Sequence, residues 1–200
     1  MEVNLLQVLE SVRPLPLALQ THIGSILKHQ VIRKNQHILK AGQVNDRICF
    51  IQRGLLWTYY MKGDKKVASW IMGEGDFLVS IVSFYKQEPS YEYIQALEET
   101  EVFYITFSEL QEAYEKYLEF DYVGLKLTIK YLVELAERLY SIQMTTAQER
   151  LEWLQKNKPE LIKRVPAKIL ACFIGISAEH FSVVRKRGAP KRKRALRKAS

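Results

Sequence analysis

A chain of 200 residues that is 48% hydrophobic and 26% charged can bury one large core or two modest ones, which excludes a disordered polypeptide. Its formal charge of +8 is unevenly placed: nine of the 30 Lys and Arg lie from Arg185 to Ser200, a stretch without Asp or Glu, so residues 1–184 hold 21 basic against 22 acidic side chains. No window reaches the roughly 18 uninterrupted apolar residues of a membrane span, and the N-terminal run MEVNLLQVLESVRPLPL lacks the basic-then-apolar order of a signal peptide, so a cytoplasmic protein without a membrane partner is expected. Two cysteines far apart in sequence, Cys49 and Cys172, argue against a disulfide framework and read as buried thiols.

Up to residue 28 the pattern is helical. Leu5, Leu6 and Leu9 share a stripe, Pro14 and Pro16 interrupt it, and Leu19, Ile23, Ile26 and Leu27 resume it. The period then shortens. From about Gln30 to Thr106 the runs QVIRK, QHILKAG, RICFIQRG, LLWTYYMK, KVASWIM, YEYIQALEE and EVFYI are rich in Val, Ile, Tyr, Phe and Trp. Turn-formers separate them at Gly42 to Asp46, Gly54, Gly63-Asp64 and Gly73 to Asp76, and short strands at such spacing predict a small barrel or jelly roll. Ser108 with Gln111 offers a capping box, from which the chain reads as helical to about Met144. In the second part of that helix Leu118, Tyr122, Leu125, Ile129, Leu132, Ala136, Leu139 and Gln143 alternate steps of four and three. A partner helix is the natural cover for so long a seam, the alternative being the chain's own barrel. Thr146 with Glu149 makes a second capping box, opening AQERLEWLQKNKPEL as a short helix.

The stretch Val165 to Lys186, VPAKILACFIGISAEHFSVVRK, reads as two short helices across a tight turn. Gly175 is the pivot, because glycine enters the left-handed region without steric cost. Ser177 stands where the second helix needs an N-cap acceptor. Leu170, Ile174, Ile176, Phe181 and Val184 fall where two crossed helices share a small core, and Ala171 keeps their approach close. This is the helix-turn-helix pattern, although an ordinary αα corner has the same periodicity. The basic run that follows adds an electrostatic footprint suited to phosphate backbones.

Taken together, N-terminal helices, barrel, seam helix and helix-turn-helix resemble the Crp/Fnr family of bacterial transcription regulators over nearly the whole chain. Gly75-Asp76-Phe77 is similar to the family's GDF turn, Gly42 and Gly54 to its barrel glycines, and residues 165–186 to its helix-turn-helix, without a gap. The expected class is therefore α+β. Residues 1–117 hold the N-terminal helices and a cyclic-nucleotide-binding-like jelly-roll barrel, 118–144 a dimerisation helix, and 145–188 the helix-turn-helix domain. Residues 189–200 form a basic tail, expected to be disordered because Pro190 and like charges oppose a packed structure. The resemblance implies a homodimer paired through Tyr122, Leu125, Ile129, Leu132, Ala136 and Leu139. It implies double-stranded DNA as partner, with Ser177, Ala178, Glu179, His180, Ser182, Val183, Arg185, Lys186 and Arg187 at the interface. RNA polymerase and an unidentified small-molecule effector are further partners it brings. Glu179 can accept from a cytosine amino group, or it can simply favour the first turn of its helix.

The effector loop departs from the family. Members that bind cyclic AMP carry a Gly and a Glu after the GDF turn, where this chain has Val79 and Ser80, and an Arg with a Ser or Thr for the phosphate, where it has Ser90 and Tyr91. A buried phosphate without a cation is expensive, so cyclic AMP is not expected to bind; Phe77, Val79, Ser80, Ser90 and Tyr91 remain the effector-pocket candidates. The rings of Phe77, Phe84, Tyr85, Tyr91 and Tyr93 line a pocket or, the simpler expectation, fill the barrel. The four histidines, His22, His29, His37 and His180, have no H-x-H spacing, and no P-loop, nucleophile elbow or dinucleotide fingerprint is present. Neither an enzyme nor a metal or other cofactor is expected. The competing function is a sensor module of the same barrel type acting through a protein partner instead of DNA.

Overall fold

A computed structural model describes residues 4–188, with side chains to Lys186. The elements run α1 (Leu5–Glu10), α2 (Leu17–Ile26), β1 (Lys28–Ile32), β2 (His37–Leu39), β3 (Arg47–Arg53), β4 (Leu56–Lys62), β5 (Lys65–Met72), β6 (Phe77–Leu78), α3 (Ile81–Lys86), β7 (Tyr93–Ala96), β8 (Thr100–Thr106), α4 (Phe107–Lys116), α5 (Leu118–Met144), α6 (Ala147–Asn157), α7 (Pro159–Arg164), α8 (Ala167–Phe173) and α9 (Ala178–Gly188). The chain divides after Glu137 into two compact units. The expected basic tail, residues 189–200, lies outside the described residues.

In the first unit eight strands form two antiparallel sheets, ordered β1-β8-β3-β6 and β2-β7-β4-β5. The alternation of the strands sorts their side chains into two cores. Ile32, Cys49, Ile51, Leu56, Leu78, Ile94 and Val102 fill the space between the sheets. On the outer face of the first sheet Phe50 and Ile105 pack against Leu5 and Leu9 of α1, Leu19 and Ile23 of α2, Leu110 and Ala113 of α4, and Phe120 and Val123 of α5. Gly54 is required where β3 turns into β4: its φ is +102°, and a Cβ there would lie 2.5 Å from Thr100 Oγ1.

Four local expectations are corrected. The helix after β8 is capped by Thr106 and Glu109, not by Ser108 and Gln111, since Thr106 holds the extended backbone of an N-cap while Ser108 is already in the first turn. Lys28 from β1 pairs with Glu109 and reinforces that choice. Burial raises the Glu109 pKa, but hydrogen bonds from Lys28 and Thr106 outweigh it and hold the carboxyl below its usual range; a cap of this kind is worth ~1 kcal/mol. The expected single helix breaks at Tyr117, whose extended backbone separates α4 from α5 with neither Gly nor Pro. The short helix after Thr146 ends at Asn157, and Pro159 starts α7 in the N-terminal position where its missing N–H costs nothing. Cys172 is half-buried, whereas Cys49 is buried and its thiol is pushed up to about 12 by desolvation. Strand β6 and helix α3 are too short to have had a periodic signature.

Helix α5 carries two stripes. Its inner one, Phe120, Val123, Leu127 and Tyr131, packs on the barrel unit. The outer one is the four-three seam. Leu118, Tyr122, Leu125, Ile129, Leu132, Ala136, Leu139 and Gln143 are all exposed, Leu125 by 55% and Leu132 by 61%.

Candidate functional site

The C-terminal unit is built around the α8–α9 turn. Ile174 caps α8, Gly175 follows at φ +74°, and the N–H groups of Gly175 and Ile176 donate to the carbonyls of Cys172 and Ala171 at 3.1 and 3.0 Å. This is the paired bonding of a Schellman stop. The Ser177 hydroxyl then accepts from His180 N–H at 3.1 Å and starts α9, so the chain bends by 96° within a few residues. Leu170, Ala171, Ile174, Phe181 and Val184 are buried between the two helices, with Ile176 half-buried beside them. Leu151 and Leu154 of α6 complete the core beneath. Two arginines that the sequence did not single out hold the end of α8: Arg138 donates to Phe173 O at 2.9 Å and Arg150 to Ile174 O at 2.8 Å. Arg150 also donates to Thr145 O, tying the end of α5 to the same turn. Cations at helix C-termini satisfy orphan carbonyls and oppose the dipole.

This arrangement leaves the outer side of α9 available. Ser177, Glu179, His180, Ser182, Val183, Arg185 and Lys186 are exposed and Ala178 is half-buried; the Arg187 side chain lies outside the described residues. Glu179, Val183 and Lys186 follow one another at steps of four and three along that side, and the Ser182 hydroxyl donates back to Ala178 O at 3.1 Å.

The effector candidates do not form one cluster. Strand alternation at β6 sends Phe77 and Val79 to the outer core, where Phe77 meets the Phe50 ring at 5.2 Å, and leaves Leu78 and Ser80 facing the interior. Ser80 and Ser90 are buried together: their hydroxyls lie 3.0 Å apart, and the Ser80 N–H donates to Asn45 Oδ1 at 2.7 Å. Tyr91 is 57% exposed and packs on the Tyr60 ring. The side chain that completes the Ser80–Ser90 pair is Glu92, missed in the sequence. Its carboxylate accepts from Ser80 at 2.7 Å and from Ser69 at 3.2 Å. It also acts on Tyr60, whose hydroxyl is pushed up to about 12, first by burial and then by the Glu92 charge. The expectation that the five rings fill the barrel is corrected too. Phe77 and Phe84 belong to the outer core, Tyr85 is exposed, and Tyr93 stacks on Tyr59 at 5.0 Å, because these rings occupy the odd face of their strands or lie on α3.

The first unit holds cavities on both of its cores. One of about 410 Å³ runs past Leu39, Cys49, Leu78 and Ile94 to Asn45, Asp46 and Arg47. Another, of about 320 Å³, lies on the outer-core side and reaches Leu5, Phe77, Tyr114 and Leu132. Phe77 N–H donates to the Tyr131 hydroxyl at 2.8 Å, so the turn after Gly75-Asp76 is bonded directly to α5.

Residues 29–117 match the cyclic nucleotide-binding domain family. The structure of FixK2 from Bradyrhizobium japonicum is similar with a TM-score of 0.68 at 14% identity, over 81% of this chain and 84% of that one. A putative regulator of the crp/fnr family from Eubacterium rectale is similar with a TM-score of 0.69 at 13% identity, over 89% and 87% of the two chains. This chain has the Crp/Fnr fold. The c-di-GMP-responsive global regulator CLP of Xanthomonas campestris shares the Crp/Fnr fold with it, at a TM-score of 0.66 and 16% identity over 86% and 91% of the chains. No curated protein matches in sequence. Among the described residues no single helix is long and apolar enough to cross a membrane.

Proposed function

We propose that the chain is a homodimeric, sequence-specific DNA-binding transcription regulator that works in the cytoplasm through RNA polymerase and does not take cyclic AMP as its effector. The observation that carries this reading is the 96° bend between α8 and α9, held by the Gly175 turn, with Glu179, His180, Ser182 and Lys186 exposed on α9. Two helices at such an angle, the second with a polar and basic outer side, fit a major groove. The exposed seam of α5 supplies the second copy that an inverted-repeat site requires.

The same reading explains what the barrel has lost. Cyclic nucleotides are anions, and Glu92 places a carboxylate beside Ser80 and Ser90, where the family pattern would place a cation. Selection of bound fragments from a random duplex pool with the full chain tests the function. Enrichment of an inverted repeat with half-sites about 10 bp apart is expected. Salt-sensitive binding without any enriched sequence would overturn it.

A further inference from the structure

We propose that the cavity of about 320 Å³ beneath α5 is an effector site for a neutral, largely apolar small molecule bearing one hydrogen-bonding group. It is separate from the Ser80–Ser90–Glu92 cluster, and among the described residues its lining contains no Asp, Glu, Lys, Arg or His. A charged ligand there would lose its hydration with nothing to replace it. The volume is in the range of small-molecule pockets, and the walls are aromatic and aliphatic, as such pockets are.

The polar side chains are few: Tyr114, Thr128 and Tyr131 on α4 and α5, with Trp70, Tyr85 and Tyr104 elsewhere in the lining. Tyr114 holds its hydroxyl against Gly124, where a Cβ would come within 2.3 Å of it, so this residue pair shapes the wall. No hydrogen bond joins that hydroxyl to another described residue, and burial pushes its pKa upward, so it stays protonated. Thr128 and Tyr131 present further hydroxyls along α5, and the Tyr131 oxygen already accepts from Phe77 N–H. A carbonyl or hydroxyl on an otherwise apolar molecule can therefore be satisfied on the Tyr114 and Thr128 side. An aryl ketone or a medium-chain alcohol is the class that fits.

Position makes this an effector site as well as a cavity. Leu132 lines it and also belongs to the exposed seam, while Phe77 of β6 and Val79 just after it line it from the stretch that follows the Gly75-Asp76 turn. An occupant touches both at once. Its effect on DNA rests on the regulator reading above; its binding does not.

The probe is N-phenyl-1-naphthylamine, a neutral fluorophore, titrated into the full chain. Saturable enhancement at one probe per chain is expected, weakened at least tenfold by Val79→Trp and by Leu127→Trp, each of which fills the cavity from a half-buried position. Circular dichroism identifies which variants fold. Nonsaturable enhancement, or equal binding by a folded cavity-filled variant, overturns the site. The probe should also shift affinity for the selected DNA severalfold, and an unchanged affinity overturns the effector role. A chain that takes the probe normally but selects no DNA sequence supports the site and sinks only the regulator reading.

Discussion

Glu92 decides the character of the barrel interior. An anion brought to the Ser80–Ser90 pair would meet a carboxylate 2.7 Å from one of those hydroxyls, and the serines are already bonded to each other. Removing the charge is not enough to reverse this, because no guanidinium or ammonium is supplied in its place. Calorimetry with cyclic AMP should therefore show no binding to the parent chain or to Glu92→Gln. Micromolar binding by the parent would show that the phosphate is accepted without a cation. The variant should remain folded, since its amide oxygen can still accept from Ser80 while its NH2 group donates to the Ser69 hydroxyl oxygen. None of this was legible one residue at a time. Ser80 and Ser90 stand out as departures from a family pattern, but Glu92 joins them only through the fold, from the start of the run that leads into β7.

At the scale of elements, the seam of α5 is the stripe that periodicity marks most plainly. Steps of four and three mark Leu118 to Gln143 in the sequence, and every one of those residues is exposed, on a different side from the Phe120–Val123–Leu127–Tyr131 stripe that packs on the barrel unit. Burial of a leucine is worth about 1.5–3 kcal/mol, so a seam of this length left in water favours association. Glutamate at both Leu125 and Ile129, neither of which lines the apolar cavity, should give monomers with weakened DNA binding. Sedimentation reads the mass directly, and a dimer that survives both charges would refute the pairing. Other elements were less legible for definite reasons. Thr106 and Ser108 both have a Glu or Gln three residues on, and only the backbone of Thr106 and the reach of Lys28 choose between them. Tyr117 breaks a helix without a breaker residue. By contrast, Gly175, Ser177, Thr146 and Glu149 act through local backbone chemistry, and each plays the part its spacing predicts.

For the whole molecule, the question is how affinity and sequence choice are divided between α9 and the basic end of the chain. Residues 189–200 contain Lys191, Arg192, Lys193, Arg194, Arg197 and Lys198, and cations on phosphates release condensed counterions without reading a base. Removing those residues should weaken binding to all DNA alike while the preferred sequence remains preferred. The log-log salt slope should fall by up to ~0.9 for each phosphate that the shortened chain leaves unneutralised. Glu179→Ala should do the reverse, costing about 1–3 kcal/mol on the selected site and leaving nonspecific binding nearly unchanged. Binding isotherms at several salt concentrations, on the selected site and on scrambled duplex, separate the two effects. An unchanged slope after truncation would mean that the basic run does not touch phosphate. If Glu179→Ala held the selected site as tightly as the parent, the carboxylate would be only a helix-start charge, and base reading would pass to His180, Ser182 and Lys186, which share the exposed side of α9 with it.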